Sequence, residues 1–308
     1  MEKVKKTIIE KCKVLNWLGS KSSELHVIYN FVMDCIDVKQ YNKFVDVFGG
    51  SGLVGFWLKT LDEFKHIKFI YNDCNEKLYN LFSILQDKET RVIFLDKYNE
   101  EMNKFNNLDE PQKIEYFRNI VKLSSNPLSC PSLDGGLQNN LYFYIICLLC
   151  FRGIYSENKS INPNLKKKDG VNIFSSRFKN PDVINKFSQI IEDVDLYNED
   201  YKTILDNYEQ DETAILYLDP PYIKRNSTDY VQKKPFEHDD ILYICDYMKK
   251  AKCKVILNID FSPMIYLDLL KDYKKLWYYI KYKVVKNYKN CYTDVHTLFL
   301  NEPDLNKN

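Results

Sequence analysis

Glycine and proline are scarce here, with nine and ten in 308 residues. That excludes collagen-like and linker-like chains, and it makes each cluster of either residue informative. Net charge is nearly absent: 44 Lys and Arg against 43 Asp and Glu leave +1. No global basic field marks a nucleic-acid binder, so such a ligand requires a local basic face. No apolar run nears the roughly 18 residues of a membrane span; the longest lies around residues 141–151. Residues 1–13 alternate charged and apolar types and lack the apolar stretch of a signal peptide. The nine cysteines show neither metal nor disulfide spacing. Cys147 and Cys150 form a Cys-x-x-Cys, but their neighbours are nearly all apolar, which predicts two core cysteines. His26, His66, His238 and His296 share no metal spacing and read as structural or surface residues. These absences predict a cytoplasmic protein of a reducing compartment, with no membrane and no metal.

Against that background one stretch stands out. Ala214 to Leu218 is an apolar run that reads as a buried parallel strand. It ends in Asp219-Pro220-Pro221-Tyr222. Proline cannot continue a central strand, so the chain turns there. The turn puts Asp219 and Tyr222 at a strand's carboxyl end, where open α/β sheets place ligands. A carboxylate, the Pro220 carbonyl and a flat aromatic ring suit a planar ring bearing an amine, such as a nucleobase.

A second cluster follows the short apolar strand at residues 43–47, in Phe48-Gly49-Gly50-Ser51-Gly52. Gly50, Gly52 and Gly55 satisfy the dinucleotide fingerprint, so a nicotinamide enzyme is one reading. Asp46 argues against it. An anion there repels a pyrophosphate but suits the ammonium group of S-adenosylmethionine. Asp73 follows the next predicted strand, about 20 residues beyond the glycines, where an acid holds ribose hydroxyls in both cofactor classes. It could equally be a helix N-cap, as could Asn75. Upstream, Lys21 opens a helical pattern over residues 24–36, a position that suits an anionic ligand.

The Asp-Pro-Pro-Tyr stretch resembles the signature of the amino-methyltransferases. Asp46-x-Phe48-x-Gly50-x-Gly52 resembles the cofactor motif of S-adenosylmethionine enzymes. Trp17, Gly19 and Lys21 are similar to the opening motif of the Dam-like (D12 class, alpha-type) N6-adenine DNA methyltransferases. Asn16 and Ser20 depart from that motif. The order of the motifs along the chain fits the same family. Asp195, followed by Leu196, resembles the acid and apolar residue that flank the cofactor's adenine ring, with Asp193 the competing candidate.

The resemblance implies a doubly wound, mainly parallel Rossmann-like sheet of the seven-stranded type. The catalytic domain is expected over residues 1–95 and 185–308, and an inserted, mostly helical target-recognition domain over 96–184. Within the insertion, residues 100–122 read as a helix, residues 137–155 as a buried helix, and Asp169-Gly170 as a hairpin turn. Phe151-Arg152-Gly153 and the stretch from Gly170 to Phe174 resemble semi-constant stretches of that domain; the family's usual Arg-x-Asn is replaced by Tyr155-Ser156-Glu157-Asn158. Arg152, Lys166, Lys167, Lys168, Asn172, Arg177, Lys224 and Arg225 are the candidate DNA contacts, since phosphates attract Lys and Arg regardless of sequence.

The implied activity is methylation of adenine N6 in a short DNA sequence with S-adenosylmethionine as cofactor. Asp219, Pro220 and Tyr222 would be catalytic. Trp17, Lys21, Asp46, Phe48, Gly50, Gly52, Asp73, Asp195 and Leu196 would hold the cofactor. The implied partner is double-stranded DNA, with a cognate restriction endonuclease and a monomer or weak dimer left open. Rival readings are another planar amine (cytosine N4, RNA adenine, a glutamine side chain), a silent DNA-binding member, and the nicotinamide enzyme.

Overall fold

Strand β6, Ala214–Leu218, is buried at every residue and lies in the middle of the molecule's main sheet. The coordinates are a computed structural model. They describe residues 11–124, 135–155, 160–222, 236–260, 269–283 and 291–303. β6 pairs in parallel with β1, Lys43–Asp46, on one side and with β7, Lys254–Asp260, on the other. β1 pairs in parallel with β2, Lys68–Asn72. β5, Asp195–Tyr197, lies at the sheet edge beyond β2. β8, Tyr273–Lys283, and β9, Cys291–Pro303, close the other edge as an antiparallel pair, with β9 against β7. The seven-stranded order is β5-β2-β1-β6-β7-β9-β8, and β3, Leu165–Lys168, forms a separate hairpin with β4, Val171–Phe174. The predicted mainly parallel, doubly wound sheet is therefore present.

The described residues fall into two compact units. One comprises Lys21–Cys74 and the chain from Tyr197 onward. In it, side chains alternate across the sheet. Val45, Leu216, Leu218, Val255, Leu257 and Ile259 form one buried cluster. Ile204 and Leu205 of α8, Tyr201–Tyr208, and Ile241, Ile244 and Met248 of α9, His238–Lys250, complete it. Each such buried side chain contributes about 1.5–3 kcal/mol over its exposed state. The register puts the alternate set on the opposite face: Asp46 beside Tyr217, Asn258 beside Leu298, and Asp260, His296 and Tyr278 in one cross-strand row. Polar groups are thus concentrated on one face, near the carboxyl ends of the parallel strands. Helix α1, Leu25–Cys35, lies against β9, and α2, Leu53–Lys59, against β1 and β2.

The other unit comprises the chain up to Ser20 and Asn75–Leu196. Its helices are α3, Glu76–Gln86, α4, Lys88–Asn106, α5, Glu110–Ser124, α6, Gly135–Leu149, and α7, Pro181–Ile191. The single helix predicted over residues 100–122 is in fact two. The break has a local cause. Asp109 accepts from the Gln112 amide at 2.8 Å while Gln112 returns an acceptor to the Asp109 amide at 3.0 Å. This reciprocal cap starts a new helix, and Pro111 fits its first turn. The predicted helix over 137–155 also ends early, at Leu149. Cys150 leaves the helix with an extended backbone, φ −75° and ψ 160°, and Arg152 then adopts a left-handed φ of +56°. Cys147 and Cys150 are buried free thiols, as expected of core residues. The β3/β4 hairpin turns at Asp169 and Gly170, with φ +50° and +81°, as the Asp-Gly pair predicts. Phe174 anchors it, its ring 5.4 Å from Phe105 and 6.0 Å from Phe117.

Candidate active site

Four neighbouring parallel strands finish on aspartate. β2 runs into Asp73, β1 ends at Asp46, β6 runs into Asp219, and β7 ends at Asp260. Three of these acids were expected from the sequence; Asp260 was not. Asp46 is 3% exposed and accepts the Gly55 amide at 3.3 Å. Burial, with Asp219 and Asp73 as charged neighbours, pushes its carboxyl up to about 7. The Gly55 hydrogen bond and Lys21 oppose that rise.

Asp73 holds the glycine-rich turn. Its Oδ2 accepts the Gly50 amide at 2.7 Å, and the Gly50 carbonyl accepts the Tyr71 hydroxyl at 2.8 Å. Gly52 has φ +67°, and a Cβ there would lie 1.9 Å from the Phe56 ring. Only glycine fits this turn and keeps its backbone open. Asn75, not Asp73, caps α3, accepting from the Lys77 and Leu78 amides at 3.0 and 3.3 Å. Phe48 packs edge-on or tilted against Phe236 and Tyr201, centroids 5.8 and 5.1 Å away.

Asp219 forms an ion pair with Lys21. Burial raises its carboxyl above the usual range, and Lys21 works against that rise. Lys21 Nζ also stands 5.2 Å from the centroid of the Tyr222 ring. Lys21, expected at the cofactor, is the partner of the candidate catalytic acid. Pro220 is buried, and Tyr222 is half-buried with its hydroxyl 3.4 Å from Asp219 Oδ1.

Behind Tyr222 lies a polar cluster that the sequence did not disclose. The Tyr222 hydroxyl is 3.1 Å from His296 Nδ1, and His296 Nδ1 is 3.5 Å from Glu24 Oε2. Tyr278 donates to Glu24 at 2.7 Å, and the Asn258 amide links Tyr278 at 2.9 Å to Tyr217 at 3.0 Å. Burial pushes Glu24 up, but His296, Lys21 and Tyr278 outweigh it and hold the carboxyl below its usual range. His296 is 0% exposed. Its histidine type gave no signal in the sequence; only the β7/β9/β8 register reveals it.

Three expected cofactor residues belong to the other unit. Trp17 packs on Phe143 with centroids 6.0 Å apart. Asp195 is exposed and Leu196 half-buried on β5. Of the expected DNA contacts, Arg152 is exposed with its guanidinium 5.1 Å from the Phe151 ring. Lys166, Lys167 and Lys168 are exposed on β3, and Asn172 is exposed opposite Lys167 on β4. Arg177 is exposed too. Lys224 and Arg225 lie outside the described residues, as do Ser156, Glu157 and Asn158.

A mostly parallel seven-stranded sheet with acids along its carboxyl edge defines a Rossmann-like, methyltransferase-type protein. The profile of the D12 class N6 adenine-specific DNA methyltransferases matches residues 17–258. The chain belongs to that family. It is also similar to the type II methyltransferase M.MjaIII of Methanocaldococcus jannaschii, 26% identical over 292 residues that cover 91% of this chain and 93% of the relative. DNA methylation is thus the family's activity. Among the described residues, no helix is long and apolar enough to cross a membrane.

Proposed function

We propose that the chain methylates N6 of adenine in a short, specific sequence of double-stranded DNA, with S-adenosylmethionine as donor. The observation that carries this reading is the meeting of Asp73, Asp46 and Asp219 at the carboxyl ends of adjacent strands. The residues suit that cofactor. A buried acid raised to about 7 beside two further acids favours a cationic ligand and disfavours a pyrophosphate. Asp46 would meet the ammonium group, Asp73 the ribose hydroxyls, and the turn at Gly50 and Gly52 would let the ligand approach the backbone. Lys21 and Phe48 complete the proposed set within this unit, and Trp17, Asp195 and Leu196 are proposed as cofactor residues on the family resemblance alone. When bound, the cofactor supplies an electrophilic methyl group.

An adenine amine is a poor nucleophile because its lone pair is delocalised into the ring. Asp219 would accept one N–H and the Pro220 carbonyl the other, localising that pair on nitrogen. Tyr222 would stack on the ring and fix its plane. The amine lies inside the duplex, so the base is flipped out at a cost of a few kcal/mol. The exposed lysines of β3, with Asn172, Arg152, Arg177, Lys224 and Arg225, would grip the DNA backbone and bases. Residues 96–184 would act as the target-recognition part.

Incubation with isotopically labelled cofactor and duplex DNA, followed by nucleoside digestion and mass spectrometry, tests the reading. Labelled N6-methyladenosine (deoxy form) is expected. Labelled N4-methylcytosine, or label in RNA alone, would replace adenine as target. Thermal stabilisation by S-adenosylhomocysteine but not by NAD is expected as well.

A further inference from the structure

Stacking alone needs a ring and no hydroxyl, yet the hydroxyl of Tyr222 is engaged. It is 3.1 Å from His296 Nδ1 and 3.4 Å from Asp219 Oδ1. The two rings meet nearly at right angles, 88° with centroids 5.2 Å apart. His296 in turn is fixed from three sides. It sits on β9 between Asp260 of β7 and Tyr278 of β8. Its Nδ1 faces Glu24, and the Tyr278 ring lies 5.6 Å from its own. Glu24 is tied down by Tyr278 and precedes the first residue of α1. Every member of this linked set is buried or half-buried, so none is set by solvent.

We propose that His296, braced by Glu24, is a positioning residue that fixes the plane of the Tyr222 ring through the ring's hydroxyl. It thereby sets the stacking surface offered to the extruded base. The inference rests on the proposed base-stacking role of Tyr222, and it adds two residues that the sequence assigned no role. A hydroxyl held at its far end restrains rotation of the whole ring. A ring so restrained loses less conformational freedom when a base stacks on it. Glu24 Oε2 stands 3.5 Å from the same Nδ1 that meets the Tyr222 hydroxyl, so the acid and the phenol together hold that edge of the imidazole in place.

The test is a double-mutant cycle on the full chain. Y222F and H296A are each expected to lower kcat on duplex DNA about tenfold. The Y222F/H296A double variant is expected to lose about tenfold as well, because both changes remove one link. Multiplied losses, about a hundredfold, overturn the proposal, as does an H296A enzyme with unchanged kcat. Asparagine places its amide where Nδ1 of histidine lies, so H296N is expected to restore much of the rate; a rate equal to that of H296A overturns the proposal. E24Q is expected to reduce kcat less than H296A does, with KM for the cofactor unchanged. Stabilisation of each variant by S-adenosylhomocysteine reports that the fold persists. Fluorescence of 2-aminopurine at the target position reports stacking directly, and its quenching is expected to weaken in H296A. If the unaltered chain methylates no DNA at all, the functional reading fails; if it methylates DNA but the cycle is additive, only this inference fails.

Discussion

The ammonium group of Lys21 is paired with the carboxylate of Asp219, and the same ammonium lies 5.2 Å from the centre of the Tyr222 ring. Lys21 precedes α1, whereas Asp219 follows β6, so the pair ties two distant parts of one unit. In the proposed reaction Asp219 accepts a hydrogen bond from the amine, which the ionised carboxylate does best. Burial raises its carboxyl and Lys21 opposes the rise. Removing the cation therefore moves the acid further up. In K21M, the acidic limb of the pH–rate profile is expected to shift to higher pH, with the plateau rate also reduced. An acidic limb that stays in place would show that Asp219 does not limit the rate at low pH.

Replacing Asp219 by Ala is expected to abolish methyl transfer and leave DNA binding measurable. In the proposed reaction the carboxylate accepts the amine, whereas the proposed phosphate contacts belong to the lysines of β3 and to the arginines. Filter binding and a turnover assay on the same preparation separate the two. Retention of near wild-type turnover removes Asp219 from the mechanism.

The β3 lysines are expected to act through charge alone. Lys166, Lys167 and Lys168 are exposed, and Phe174 anchors the hairpin through a different residue. Substituting all three by Ala is expected to leave the fold and cofactor affinity intact. It should weaken DNA binding most at low salt. The slope of log K against log salt should flatten by about one for each phosphate that the variant no longer neutralises. A slope identical to that of the unaltered chain assigns these lysines to solvent.

Much of this arrangement was legible because strands that end on acids and prolines leave a local trace. Asp219-Pro220-Pro221-Tyr222 and the glycines after Asp46 carry their own backbone signals, and the Asp169-Gly170 turn does too. Glu24, Asp260 and His296 carry none. Each is an ordinary polar residue whose role exists only once β7, β9 and β8 are in register, and register is a property of the sheet rather than of any one strand. The break at Leu108 and Asp109 was missed for a different reason. Helical periodicity runs through both helices, and the short capping exchange between Asp109 and Gln112 overrides it. The handedness of Arg152 was hidden as well, because arginine is not a residue whose type announces a positive φ.

Asp46 offers the sharpest test of the cofactor reading, since stability and binding should move in opposite directions. Its carboxyl is pushed from 3.8 up to about 7 in the folded protein. Between those two values the folded state binds more protons than the unfolded state, so stability falls as pH rises. Below about pH 4 the residue is protonated in both states and has no effect. Above about 7 the destabilisation is complete, with an upper bound of about 4 kcal/mol at about 1.4 kcal/mol per unit. D46N removes the buried charge and can still accept the Gly55 amide. Its melting temperature is therefore expected to exceed that of the unaltered chain by several degrees at pH 8, and to match it near pH 4. A cationic cofactor binds the ionised acid, so its affinity for the unaltered chain is expected to drop as pH falls below 7, with a proton released on binding near neutrality. Calorimetry in buffers of different ionisation enthalpy measures that proton. In D46N the release should vanish and affinity should fall. A D46N protein that binds S-adenosylmethionine as tightly as the unaltered chain, at every pH, would place the ammonium group elsewhere.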